Sequence, residues 1–260
     1  MNSIKTSEQF IELLRIVEKL RSPNGCEWDR KQSHESLIPY LIEEVYEVIE
    51  SIDEKDWNNL QEELGDVLLH IILQIQIAKE SSLFTVENVI KNLNKKLIDR
   101  HPNVFGSGEK NLSWEEQKHI KKKRRSRLDG VPLKLPALIR SQRLQQKASE
   151  VGFDWDNINF VWDKVYEELD ELKNAYNDYD EKKIQEELGD LLFSIVNLSR
   201  HLNISAEDML RKGNKKFIKR FNAIEKTAKK RGLNIEELSL EEMNQIWDQL
   251  KLTEKDKLFG

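Results

Sequence analysis

Apolar residues recur along this chain at the three- and four-residue steps of helices. Between residues 7 and 20, Phe10, Leu13, Leu14, Val17 and Leu20 form one stripe, which Ser22-Pro23-Asn24-Gly25 ends as a turn. A loop over 26–34 leads to Leu37-Ile38-Pro39-Tyr40, where Pro39 suits the first turn of the next helix. After a turn at 53–56, a helix beginning near Trp57 passes through Val67-Leu68-Leu69-His70-Ile71-Ile72-Leu73. That run is apolar nearly all round, which predicts a central helix buried on several sides. Thr85 and Ser205 are predicted N-caps, each followed by an acid within the first turn. Residues 114–127 predict a basic helix, 128–136 a Gly- and Pro-bearing linker, and 137–148 the first helix of a second half. A buried run, Leu191-Leu192-Phe193-Ser194-Ile195-Val196, and a closing helix containing Trp247 follow. The pattern predicts an all-α protein of two helical bundles, an N-terminal domain over 1–127 and a C-terminal domain over 137–260.

The acidic positions turn this pattern into a repeat. Glu43, Glu44 and Glu47, then Glu62, Glu63 and Asp66, each lie 124 positions before Glu167, Glu168, Glu171, Glu186, Glu187 and Asp190. At ~100° per residue, each trio falls on one face of its helix. If the intervening residues turn back, six carboxylates converge on one small volume. Such a cluster repels itself unless a cation joins it, and oxygen ligands without Cys or paired His favour Mg²⁺, Mn²⁺ or Ca²⁺ over zinc. A second match, Asn94-Lys95-Lys96 through Arg100 against Asn214-Lys215-Lys216 through Arg220, follows at an offset of 120, so the halves differ by a short insertion in a loop. Gly65 and Gly189 stand inside the acidic helices, where glycine costs ~1 kcal/mol against alanine, and this predicts close approach of backbone or ligand. His70, one turn after Asp66, reads as a core or interface histidine. Trp28 reads as a plug at the helix junction and His34 as a surface residue, the alternative being that both line a ligand pocket, the indole stacking on a planar ring and the imidazole hydrogen-bonding.

The doubled Glu-Glu-x-x-Glu and Glu-x-x-Asp motif resembles the MazG family of nucleoside triphosphate pyrophosphohydrolases, within the all-α NTP pyrophosphatase group. Gly25-Cys26-x-Trp28-Asp29, Arg100-His101-Pro102-x-Val104-Phe105 and Val151-Gly152-Phe153-Asp154-Trp155 extend the resemblance over essentially the whole chain. It implies hydrolysis of an NTP to the NMP and pyrophosphate, often with broad base specificity, with Mg²⁺ as cofactor (Mn²⁺ as a substitute) and a homodimeric assembly. By motif position the metal ligands would be Glu168, Glu171, Glu187 and Asp190. Glu44, Glu47, Glu63 and Asp66, with Lys96 and Arg100, would make a second site in the N-terminal half. Water would attack the α-phosphorus, with Glu167 or Glu186 orienting or deprotonating it. Trp247, with Trp114 as its approximate counterpart, would contact the nucleotide by stacking on the base.

Charge separates the halves. Lys164 and Lys183 precede Glu168 and Glu187 by one turn, where the N-terminal half has Tyr40 and Asn59. With Lys216 and Arg220 they give the C-terminal half four cations for a triphosphate, whose transfer is stabilised largely by electrostatics. The C-terminal half is therefore expected to be the better catalyst.

Composition narrows the alternatives. Hydrophobic residues at 38% and charged residues at 34% suit helices with one buried stripe. A net charge of −5 argues against a nucleic-acid partner despite the basic run Lys121-Lys122-Lys123-Arg124-Arg125. One cysteine, Cys26, no signal-peptide core and no long apolar run predict a cytoplasmic protein without membrane attachment. A di-iron bundle would need paired Glu-x-x-His elements, and the single example, Glu116 to His119, has none to pair with. A purely structural repeat would leave like charges at i,i+4 uncompensated. The remaining rival is a catalytically idle metal–nucleotide sensor or scaffold.

Overall fold

The computed structural model describes residues 3–106 and 125–259, with side chains over 4–106 and 125–252. It divides into two compact units, Met1–Trp114 and Glu115–Gly260. All regular structure among the described residues is helical, and most of the predicted basic helix over 114–127, with Trp114, falls outside them. The first unit comprises α1 (Ser3–Leu20), α2 (Glu27–Lys31), α3 (Ile38–Glu54), α4 (Trp57–Glu80), α5 (Val86–Arg100) and α6 (Pro102–Phe105). The second comprises α7 (Ala137–Ser149), α8 (Ile158–Asn177), α9 (Glu181–His201), α10 (Ala206–Lys230), a 3₁₀ turn (Ile235–Glu237) and α11 (Leu240–Phe259).

One device builds the centre of each unit. Helix α3 ends where Lys55 adopts a left-handed φ of 59°, and the Asp56 carboxylate then caps α4, accepting from the Asn58 and Asn59 N–H groups at 3.1 Å. In the second unit Tyr179 takes φ 56° and Asp180 caps α9 through the Lys183 N–H at 3.1 Å. So short a turn folds α4 back along α3 and α9 back along α8, and this brings the two acidic segments of each half face to face. Thr85 and Ser205 cap their helices as predicted, Thr85 through a reciprocal pair with Asn88.

Helices α1 and α4 close the first unit around Val17, Leu37, Ile72, Leu73 and Ile77, with Phe10, Leu13, Leu14 and Leu69 packed against them. In the second unit α10 and α11 hold a separate cluster of Ile224, Ala228, Leu238 and Ile246. Arg21 fastens the first unit's entry loop: its guanidinium meets Glu80 at 2.8 Å and donates to the Asp29 and Gln32 carbonyls. The side chain is buried, so it joins α1, α2 and the end of α4 where water competes little.

Two expectations are corrected. The run from Val67 to Leu73 is buried on one side only: His70, Ile72 and Leu73 are inside, whereas Leu68 and Ile71 are 37% and 44% exposed. Leu64, Leu68 and Ile71 form an exposed stripe on α4, and Leu188, Leu192 and Ile195 repeat it on α9. Within one chain the neighbouring helices cover only the opposite face. Gly65 and Gly189 do not mark close approach of other backbone either, since a Cβ at either would meet no protein atom within 4 Å. Backbone crowds Gly25 instead, whose Cβ would lie 2.1 Å from the Leu20 carbonyl oxygen and 2.3 Å from that of Lys19.

These contacts fix the sign of two substitutions. Gly25→Ala must push the loop off the end of α1 and should destabilise the first unit by at least the ~1–3 kcal/mol typical of overpacking. Gly65→Ala meets open space and should stabilise α4 by up to ~1 kcal/mol. Denaturant midpoints of the two variants against the unmodified chain check both signs.

Candidate active site

In the second unit Glu168 and Glu171 from α8 and Glu187 from α9 place carboxylate oxygens within 4.8 Å of one another. Glu168 is 4% exposed and Glu187 is 8% exposed, while Glu171 opens to solvent. Lys164, one turn before Glu168, puts its ammonium 2.5 Å from Glu168 and 3.0 Å from Glu167. Those two bonds raise the Lys164 pKa well above its ordinary value, so it stays charged. Burial, reinforced by Glu171 and Glu168, pushes the Glu187 carboxyl up, and Lys183 opposes the shift. The donor set fits a hard divalent cation, being three carboxylates without thiolate or imidazole.

Asp190, one turn further along α9, lines a cavity of about 590 Å³ together with Lys164 and Glu168. Trp155, Val161 and Phe193 supply apolar wall, and Gln145, Asn197 and Arg200 supply polar groups. The chain reaches this wall through Gly152, whose φ of 84° lies in the left-handed region that glycine tolerates best. Asp154 then binds Arg200 at 2.8 Å and His201 at 3.0 Å, tying the loop to α9. Leu128, the first residue of the stretch read as a linker, also lines the cavity, and the Lys147 ammonium donates to the Arg127 carbonyl at 3.3 Å.

The first unit carries the same triad, Glu44, Glu47 and Glu63, also with oxygens within 4.8 Å of one another. Its surroundings differ. Tyr40, in the place of Lys164, stacks on His70 at 6.3 Å and takes the edge of Trp28 at 5.6 Å. Burial lowers the His70 pKa, so the ring 3.8 Å from Glu44 is a neutral neighbour and not a counter-ion. Its Nδ1 is buried without a hydrogen-bond partner, so His70 is a core histidine but not a fully satisfied one. Burial first, then Asp66, Glu47 and Glu63, raise Glu44 to about 7. Glu63 is raised as well, chiefly by burial. Asn59, in the place of Lys183, donates to Ser51 at 2.7 Å. His34 is not a bare surface residue: its Nδ1 bonds Gln74, which returns a bond to the His34 carbonyl at 3.1 Å.

Not every expected site residue joins these groups. Lys216, Arg220 and Trp247 are absent from the cavity lining, with Arg220 lying 5.2 Å over the Trp247 ring and Phe217 beside it at 5.4 Å. Trp247 also packs on the cluster shared by α10 and α11. Lys96 and Arg100 stand on α5, beyond the helix pair that carries the first triad. Glu167 and Glu186 adjoin the second triad on exposed positions. Sequence reasoning missed Gln145, Asn197 and Arg200; the available signal was an asparagine at 197, directly after the mainly apolar run 191–196.

The model of the MazG nucleotide pyrophosphohydrolase domain matches this chain twice, over residues 32–105 and 160–224. The chain belongs to the MazG family. It is 52% identical over 246 residues to the nucleoside triphosphate pyrophosphohydrolase/pyrophosphatase MazG of Thermotoga maritima, covering 93% of this chain and 95% of that one. It is 40% identical over 260 residues to the nucleoside triphosphate pyrophosphohydrolase of Escherichia coli K12, covering 95% and 99%. The two family matches enclose the two acidic hairpins, so the tandem all-α repeat is a repeat of this domain.

The raised Glu187 gives a thermodynamic prediction. Its folded pKa lies above the unfolded value, so its ionised form opposes folding as pH rises through that interval, and the penalty persists at neutral pH. Glu187→Gln should therefore raise the metal-free melting temperature at pH 7.5 while reducing any further rise on adding a divalent cation. Thermal melts with EDTA and with Mg²⁺ measure both shifts.

Proposed function

We propose that this protein hydrolyses nucleoside triphosphates to the nucleoside monophosphate and pyrophosphate, using Mg²⁺ held in the second unit. The observation that carries this reading is the convergence of Glu168, Glu171 and Glu187 beside Lys164 at the edge of a cavity of nucleotide-accommodating size. It is supported by the family and by the names of the relatives that match nearly end to end.

In this reading Glu168, Glu171, Glu187 and Asp190 hold Mg²⁺, with Mn²⁺ as a substitute. The ion neutralises phosphate charge and acidifies water. Lys164, kept charged by its carboxylates, donates to a phosphate oxygen, and Lys183 adds a second cation one turn before Glu187. Glu167 or Glu186, adjoining the ligands, orients and deprotonates the attacking water. Transfer to the α-phosphorus forms the new P–O bond, and pyrophosphate leaves with the bridging oxygen. The first unit's triad has no lysine in the equivalent place and carries a Glu44 raised to about 7, so it is the weaker or differently tuned site.

The same reading includes a homodimer in the cytoplasm. The repeated apolar stripes on α4 and α9 are unlike the surface of a lone soluble bundle. Among the described residues no helix is long and apolar enough to cross a membrane. By motif position Lys216 and Arg220 serve the phosphate tail. Trp247, with the Arg220 guanidinium 5.2 Å over its ring, contacts the nucleotide by stacking on the base.

Product analysis tests the proposal. With Mg²⁺ and a panel of canonical and modified NTPs, the expected products are NMP and pyrophosphate, and in ¹⁸O-water the label should enter the NMP. An NDP with orthophosphate, or label in pyrophosphate, would place attack elsewhere. Binding without turnover of any nucleotide would leave the idle sensor as the better reading. Lys164→Met should lower kcat by about 10²-fold or more, as loss of a charge-stabilising donor does elsewhere.

A further inference from the structure

The cavity of the second unit contains two amides held by their neighbours. Gln145, from α7, uses its Nε2 to donate to the Phe193 carbonyl at 2.9 Å. Its Oε1 is then left as an acceptor, buried and without a partner, on a side chain that is 8% exposed. Buried acceptors are rarely orphaned, because an unpaired one forfeits its hydrogen bond to water without gaining another. Asn197, from α9, is 6% exposed and has the opposite arrangement. Its Oδ1 accepts twice from Arg200, at 3.0 Å from Nε and 2.8 Å from Nη2, which leaves the Nδ2 hydrogens for other partners. Arg200 is itself held by Asp154, through Nη1 to Oδ2 at 2.8 Å and through Nη2 to Oδ1.

Asn197 thus leaves a donor on α9, and Gln145 an unpartnered acceptor on α7 that reaches the cavity only when its side chain turns, both residues lining the wall among Trp155, Val161 and Phe193. A planar nucleobase has the complementary chemistry: apolar faces for the walls and an edge on which a donor adjoins an acceptor. Lys164, Glu168 and Asp190 line the same cavity, so a base seated here is attached to a phosphate tail near the acidic centre. The first unit cannot offer this. At the repeat offset, Asn197 corresponds to Leu73, which is buried in the hydrophobic core, and Arg200 corresponds to Gln76.

We propose that Gln145 and Asn197 determine base specificity in the second unit, by accepting from and donating to the base edge, with Arg200 and Asp154 positioning the Asn197 amide. The proposal rests on the hydrolase reading above and adds to it the residues that read the base.

The test compares kcat/KM for the four NTPs, each divided by the value for ribose 5-triphosphate, which has the tail and no base. In the unmodified protein the best NTP should exceed ribose triphosphate by tenfold or more. Equal values would overturn the proposal without any variant. Asn197→Leu, which installs the first unit's residue, and Gln145→Met should each compress the spread among the normalised NTP values by at least fivefold, chiefly through KM. Asp154→Asn should move the spread in the same direction, and melting curves would confirm that each variant is folded. A folded Asn197→Leu or Gln145→Met with the spread intact would overturn the proposal. Absence of pyrophosphate from every substrate would overturn the hydrolase reading and this assignment with it. Pyrophosphate release with no dependence on the base would overturn only this assignment.

Discussion

Three carboxylates within 4.8 Å of one another are the constraint on which the second unit depends. Nothing in an isolated helix favours that arrangement, since like charges one turn apart destabilise it by a few tenths of a kcal/mol. It is imposed by the turn at Tyr179 and Asp180, which fixes α8 against α9, and by burial of Glu168 and Glu187. Lys164 offsets part of the repulsion from within the chain. The raised Glu187 shows that compensation is incomplete, and a divalent cation is the partner that would complete it.

The repeat shows how one scaffold supports two electrostatic settings. Both hairpins bring three acids together, so backbone and motif are shared. What differs is one turn away: an ammonium at 164 against a phenol at 40 stacked on a buried, neutral imidazole. In the second unit charge is opposed by charge. In the first, desolvation and the neighbouring carboxylates Asp66, Glu47 and Glu63 raise Glu44 to about 7 with no ammonium to oppose them. A second divergence lies deeper in the bundle, where the leucine that fills the first core is replaced by an asparagine held by an arginine.

Much of this was legible in the sequence because it depends on period and spacing. The helices, the Thr85 and Ser205 caps and the convergence of Glu168, Glu171 and Glu187 follow from 3.6-residue geometry and a turn. The exposure of Leu68 and Ile71 was not legible, since periodicity reports that a face is apolar and not whether the same chain covers it. Backbone crowding was hidden for a related reason: Gly65 and Gly189 have no protein atom beside them, whereas Gly25 is crowded, in a loop whose path no periodic pattern encodes. The separation of Trp247 and Arg220 from the cavity, and the Gln145–Phe193 contact that shapes it, join elements distant in sequence. Such contacts are set by packing, which no local rule specifies.

The central claim is that the second triad, not the first, carries turnover. Single-turnover rates of pyrophosphate release for Glu168→Gln and Glu44→Gln, each at saturating Mg²⁺ and nucleotide and with folding verified, test it directly. Each change keeps side-chain size and removes one charge from equivalent places in the repeat. The account predicts a loss of orders of magnitude for Glu168→Gln and a much smaller change for Glu44→Gln. Equal losses, or a larger loss for Glu44→Gln, would contradict it.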